Sequence, residues 1–150
     1  MSQWVASWVE DLSKPSAETG VALCPFAKKA WDSGDVKVVE SQDLWGAVHK
    51  EVQDFGEYKV VVCAREGFNE SYAELEAACT ALNRWFAFKG VDIWLLGSHM
   101  DKTIVFVQRL SELAAASRAL EKLGYYAGYS DEDYQRLIAQ RDAAAQGVLL

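Results

Sequence analysis

The sequence predicts a single α/β (α+β) domain built on a ferredoxin-like split βαβ core, with an added N-terminal helix, strand and helix. Three observations predict it. From Tyr58 onward the periodic segments read strand, helix, strand, strand, helix, short strand, the order of that arrangement. Tyr58–Ala64 is apolar on both faces after Lys59, as a central strand covered on both sides would be. Ser71-Tyr72-Ala73-Glu74 is a capping box, and it opens the longest helix. A three-layer mixed sheet with strand 36–40 at its centre is the alternative.

The elements follow in order. Trp4, Val5, Trp8, Val9 and Leu12 fall at helical spacing and predict a short amphipathic helix, closed by Pro15. Residues 1–34 are expected to form a helical extension packed on the rest of one 150-residue domain. Pro25 suits a first helical position and places Cys24 at or near an N-cap, and residues 32–35 close that helix. Val36–Glu40 reads as a strand. Ser41 is expected to open a helix through Leu44, Trp45, Val48, Val52 and Phe55, with Gly56 as its stop. Leu75, Cys79, Leu82 and Phe86 form the apolar stripe of helix 71–89, and Gly90 ends it. Residues 91–96 and 103–107 read as strands joined by the turn 97–102. Ser111 is expected to cap a further helix through Leu113, Leu120 and Leu123. Residues 124–129 read as a last short strand, and Ser130 as the cap of a C-terminal helix.

Composition narrows the function classes. The chain is 51% hydrophobic and 25% charged, which is ordinary globular composition. Its net charge of -7 repels phosphate backbones, so nucleic acid is not an expected partner. No apolar run reaches the ~18 residues of a membrane span. No basic, apolar leader opens the chain, and Cys24, Cys63 and Cys79 lack the spacing of a disulfide framework or a zinc knuckle. The expectation is a cytoplasmic protein with free thiols, no metal and no cofactor.

Cys24 is the residue that looks most chemical. A thiol at a helix N-terminus feels the positive end of the macrodipole, and Lys28 and Lys29 add positive potential. Both favour the thiolate, a nucleophile or redox centre. The structural reading of the same residue is a small apolar side chain packed beside Phe26 and Trp31. Leu23-Cys24-Pro25-Phe26-Ala27-Lys28, preceded by Trp8-Val9, resembles the opening of a bacterial family of small proteins known only as a domain of unknown function. Phe68, Tyr72 and Leu75 suit that family's aromatic helix, and Gly97-Ser98-His99 suits its later turn. The match is specific over residues 23–28 and loose to about residue 109. The resemblance implies a fold and assigns no activity.

A second constellation depends on strand direction. If strands 58–64 and 91–96 are parallel, their carboxyl ends meet at one end of the sheet, where ligands of open α/β sheets bind. That end would gather Cys63 and Arg65 from one strand and Ser98, His99 and Asp101 from the other. Arg65 would hold a carboxylate or phosphate, and His99 would act as a base. An ordinary hairpin turn with a solvent-facing His is the plainer reading.

Two functions compete. One is a non-catalytic domain that binds a partner or a small anionic ligand through Lys28, Cys63, Arg65, Ser98 and Asp101, acting as a homodimer. The aromatic surplus at Trp85, Phe86 and Phe88 supports it, because three aromatics in four helical residues cannot all face one core. The other is a thiol-dependent enzyme or redox protein using Cys24 with His99.

Overall fold

The structure, a computed structural model, describes residues 30–100, 102–124 and 126–147. Four strands form one mixed sheet: β1 (Val36–Glu40), β2 (Val60–Glu66), β3 (Trp94–Met100) and β4 (Lys102–Gln108), in the order β1-β2-β4-β3. β1 runs parallel to β2, while β4 is antiparallel to both β2 and β3. β2 and β3 are therefore parallel to each other with β4 between them. Helix α1 (Leu44–Gln53) links β1 to β2, and α2 (Tyr72–Lys89) links β2 to β3. After β4 come α3 (Leu110–Lys122), α4 (Asp131–Tyr134), a π-helical turn (Gln135–Ala139) and α5 (Gln140–Ala145). The molecule belongs to the α+β class.

β2 sits centrally because both of its faces are apolar, and Val60–Arg65 are all buried. Alternate side chains point to opposite faces. Val61 and Cys63 meet Leu44 and Val48 of α1 and Leu75 and Cys79 of α2, with Leu95, Val105 and Val107 completing that core. Val60, Val62 and Ala64 face the other way, with Val36, Ile104 and Phe106, and pack against Ala30 and Trp31.

The capping box at Ser71 forms in full: Ser71 Oγ accepts from Glu74 N–H, and the Glu74 carboxylate accepts from Ser71 N–H. Gly90 ends α2 in the left-handed conformation, φ 71°, which a glycine adopts without steric cost. Two other expected caps are replaced. α1 is capped by Asp43 rather than Ser41, whose hydroxyl instead accepts from Asp43 N–H. α3 begins two residues early, with Arg109 at the N-cap position, and Asp92, from the loop before β3, accepts from both the N–H and the hydroxyl of Ser111.

Three larger expectations are corrected. Residues 97–100 are not a turn but the second half of β3, paired residue for residue with β4 from Gly97↔Val105 to Met100↔Lys102. Residues 124 and 126–129, expected within a last strand, lie in turns: Gly124 has φ 75°, Ala127 N–H donates to Gly124 O, and Tyr129 N–H donates to Tyr126 O. A strand there has no place beside β2, whose two sides are taken by β1 and β4. Strand 36–40 is an edge strand, not the centre of a three-layer sheet. The N-terminal helix and the Cys24 segment, expected within residues 1–34, lie outside the described residues up to residue 29.

Candidate functional site

The parallel run of β2 and β3 brings Arg65 and His99 to the same end of the sheet. Both register with Thr103 of β4, so Arg65, Thr103 and His99 form one transverse row on the face that α2 covers. Strand spacing puts Arg65 and His99 about 10 Å apart, with Thr103 between them. The loop between β2 and α2 folds over this row. Thr103 Oγ1 donates to Gly67 O at 2.6 Å, and Arg65 Nη2 donates to Glu70 Oε2 at 3.0 Å. Phe68 and Tyr72 pack on the His99 ring at centroid distances of 4.6 and 5.9 Å.

This row is a closed polar seam. Arg65 is buried and already neutralised by Glu70. Arg65 Nε, Glu70 Oε1 and His99 Nε2 are buried with no hydrogen-bond partner among the described residues. Among those residues no group of three or more His, Cys, Asp or Glu side chains stands together as a metal-binding set. The aromatic rings over His99 keep this end of β3 against the first turn of α2.

The remaining residues expected at the site are dispersed. Cys63 is sealed in the core beneath α1 and α2, so no ligand reaches it, and burial pushes its thiol up to about 12. Ser98 points to the face opposite His99, because neighbours on a strand alternate. Cys24, Lys28 and Asp101 lie outside the described residues.

Next to the polar seam runs a groove between α2 and the edge of β3, which no other strand among the described residues pairs with. Tyr72, Glu76, Thr80 and Asn83 form its helical wall, and Trp94 to Gly97 form the strand side. Tyr72 joins the two features, since it lines the groove and packs on His99. Gly97 makes the groove possible. A Cβ there would stand 2.7 Å from Leu75 Cγ and 3.4 Å from Cys79 Sγ, so only glycine lets α2 approach the edge this closely. Cys79 lies at the bottom of the groove. Burial pushes its thiol up to about 12, and the carboxylates of Glu76 and Glu70 add to that shift.

The strand edge itself is partly occupied. Asn83, buried in mid-helix, accepts from Leu95 N–H at 2.7 Å and donates to Leu95 O at 2.9 Å. Its amide takes the place that the main chain of a neighbouring strand would fill. Leu95 therefore turns its polar groups away from β4. The β3–β4 register runs without a bulge, so Gly97 and His99 must turn theirs the same way. Gly97, itself buried, thus turns its N–H and C=O to the same side as Leu95, and no partner for them stands among the described residues.

Asn83, Glu70 and Gly97 escape the sequence reading, yet two of them leave a trace. Asn83 continues the i, i+4 row of Leu75 and Cys79, and a polar residue on an apolar stripe must find a buried partner. A lone glycine inside an apolar, β-prone segment marks a close approach of another element. No family model, no curated protein and no solved structure matches the chain.

Proposed function

We propose that this protein is a non-catalytic binding module that takes an extended segment of a partner polypeptide as a fifth strand along the edge of β3. The segment lies in the groove against α2. One observation carries the reading: the Asn83 amide pairs with both main-chain groups of Leu95 as an added strand would, and the register turns the main chain of the buried Gly97 to the same side. Main-chain pairing supplies affinity in this mode, and side-chain pockets alternating along the strand supply specificity. The half-exposed Leu96 and the neighbouring Trp94 offer apolar area on the side away from α2. Nothing in the reading needs a nucleophile or a base. The homodimer expected from the sequence is one form of it, in which β3 of a second copy supplies the strand. The core of the reading keeps a split βαβ arrangement, with β4 inserted between the parallel pair β2 and β3 and β1 at the far edge.

A display library of short random segments tests the proposal. The protein is expected to enrich extended, Pro-free sequences. A selected peptide should slow amide exchange at Gly97 and His99, and Leu96→Lys should abolish capture while leaving the fold intact. No enrichment, or protection confined to amides away from β3, would overturn the reading. Sedimentation of the protein alone at low and high concentration separates the self-paired form from capture of a foreign segment.

A further inference from the structure

We propose that the second face of the sheet is the docking surface for the chain's own N-terminal segment, residues 4–27, and that Cys24 and His99 therefore stand on opposite sides of the sheet. This docking is independent of strand addition along β3. A sheet that is apolar on both faces needs a layer on each. α1 and α2 supply one layer, over Val61, Cys63 and their neighbours. On the other face Val36, Val60, Val62, Ala64, Ile104 and Phe106 are all buried. Among the described residues, the apolar side chains packed on them from outside the sheet are Ala30 and Trp31. None of the buried residues of α3 belongs to that core. Two side chains are too few to keep six strand residues from water, so the rest of the layer comes from another part of the chain.

Length and point of entry select the N-terminal segment. Residues 1–29 are the one long stretch outside the described residues, and they join the described chain at Ala30, on this face. Residues 30–32 are helical. One helical turn earlier, at i−4 from Ala30 and Trp31, the sequence has Phe26 and Ala27. A helix continued backward thus keeps an apolar stripe toward the sheet and turns Lys28 and Lys29 away from it. Farther back, Trp4, Val5, Trp8, Val9 and Leu12 recur at helical spacing and supply the apolar area that the face requires. The consequence is chemical. His99 lies on the face that α2 covers, in register with Thr103 and against Tyr72. Cys24, two residues before Phe26, goes with the segment to the other face. The sheet then separates thiol from imidazole, and His99 cannot act as the base for Cys24.

Photo-crosslinking on the full chain tests this. Val38 packs with the second-face core, and Glu40, two residues on, points the same way from an exposed position. Val38→p-benzoylphenylalanine and Glu40→p-benzoylphenylalanine place the probe at both points, the second where a new side chain does not disturb the core. Irradiation, proteolysis and mass spectrometry should join the probe to a peptide from residues 1–29, in a product that runs as a monomer. Joining to residues 102–147, joining between two copies, or no joining at either position overturns the docking. Alkylation of the native protein then reads Cys24 alone, because Cys63 and Cys79 are buried in the other core. Its rate against pH should be the same in the parent and in His99→Ala, or negligible in both. A profile that shifts when His99 is removed overturns the separation of the two residues.

Discussion

The two edges of the sheet face the same physical problem and meet it differently. β1 is short, five residues, and carries Lys37 and Glu40. Lys37 reaches across to Glu51 of α1 at 3.0 Å, so a charge stands on the edge strand and is held there by the adjacent helix. The hydrogen bond to Glu51 raises the Lys37 pKa. β3 is seven residues long and carries no Lys, Arg, Asp, Glu or Pro. Short length and edge lysines are the usual defences against another strand. β1 has both and β3 has neither. β3 has instead one amide, Asn83, that covers one position. The edge is capped at Leu95, while the buried Gly97 has no main-chain partner on that side among the described residues, and it is there that we propose strand addition.

Substitutions at both edges test the comparison. Gly97→Val should have the largest effect on capture. The added side chain meets Leu75 and Cys79, and overpacking of this kind costs about 1–3 kcal/mol. It should lower the urea midpoint, and it should remove peptide capture even in the fraction that remains folded. A Gly97→Val protein as stable as the parent would mean that α2 does not press on the edge as described.

Asn83→Leu comes next. It leaves the buried Leu95 N–H and C=O without their partners, at a cost of about 1–3 kcal/mol for each group left unsatisfied. The same change uncaps the edge of β3. Self-association detected by sedimentation should therefore rise as stability falls. Lower stability with no change in association would show that Asn83 is a packing residue alone.

Lys37→Met should have the smallest effect. Lys37 is 41% exposed in its side chain, so the ion pair contributes at most about 1 kcal/mol. Because the folded-state pKa is raised, that contribution is present below the amine's ordinary value of 10.5 and is lost as pH rises through the higher folded value. The stability difference between Lys37→Met and the parent, followed by urea unfolding across that range, is expected to close at high pH. A difference that persists there would assign the effect to packing of the lysine stem on the edge.

Much of this comparison is invisible in the sequence. Val36–Glu40 is a plain strand by pattern, and only its neighbours make it an edge. Gly97-Ser98-His99 has the composition of a turn, yet pairing with Thr103, Ile104 and Val105 holds it as strand. The polar end of the sheet is half legible. Strand direction brings Arg65 and His99 to one row, but the partner that neutralises Arg65 is Glu70, in a loop whose path no periodicity specifies. Asn83 makes the same point from the helix: its place on the apolar stripe says that it is satisfied, and not by what.

The sequence by itself determined the local features. The doubly apolar β2, the Ser71–Glu74 capping box, the Gly90 stop and the exposed aromatics Trp85 and Phe88 all follow from residues within a turn or two of one another. These features depend on side-chain periodicity and on hydrogen bonds between near neighbours, which a short window contains. Tertiary structure alone decided strand order, the turns at 126–129, the closing of the Arg65–His99 seam and the close approach of α2 to Gly97. Each of these depends on which distant strand wins a place beside another, and on how closely a helix approaches an edge. That outcome is set by packing across the whole sheet, and no single segment carries it.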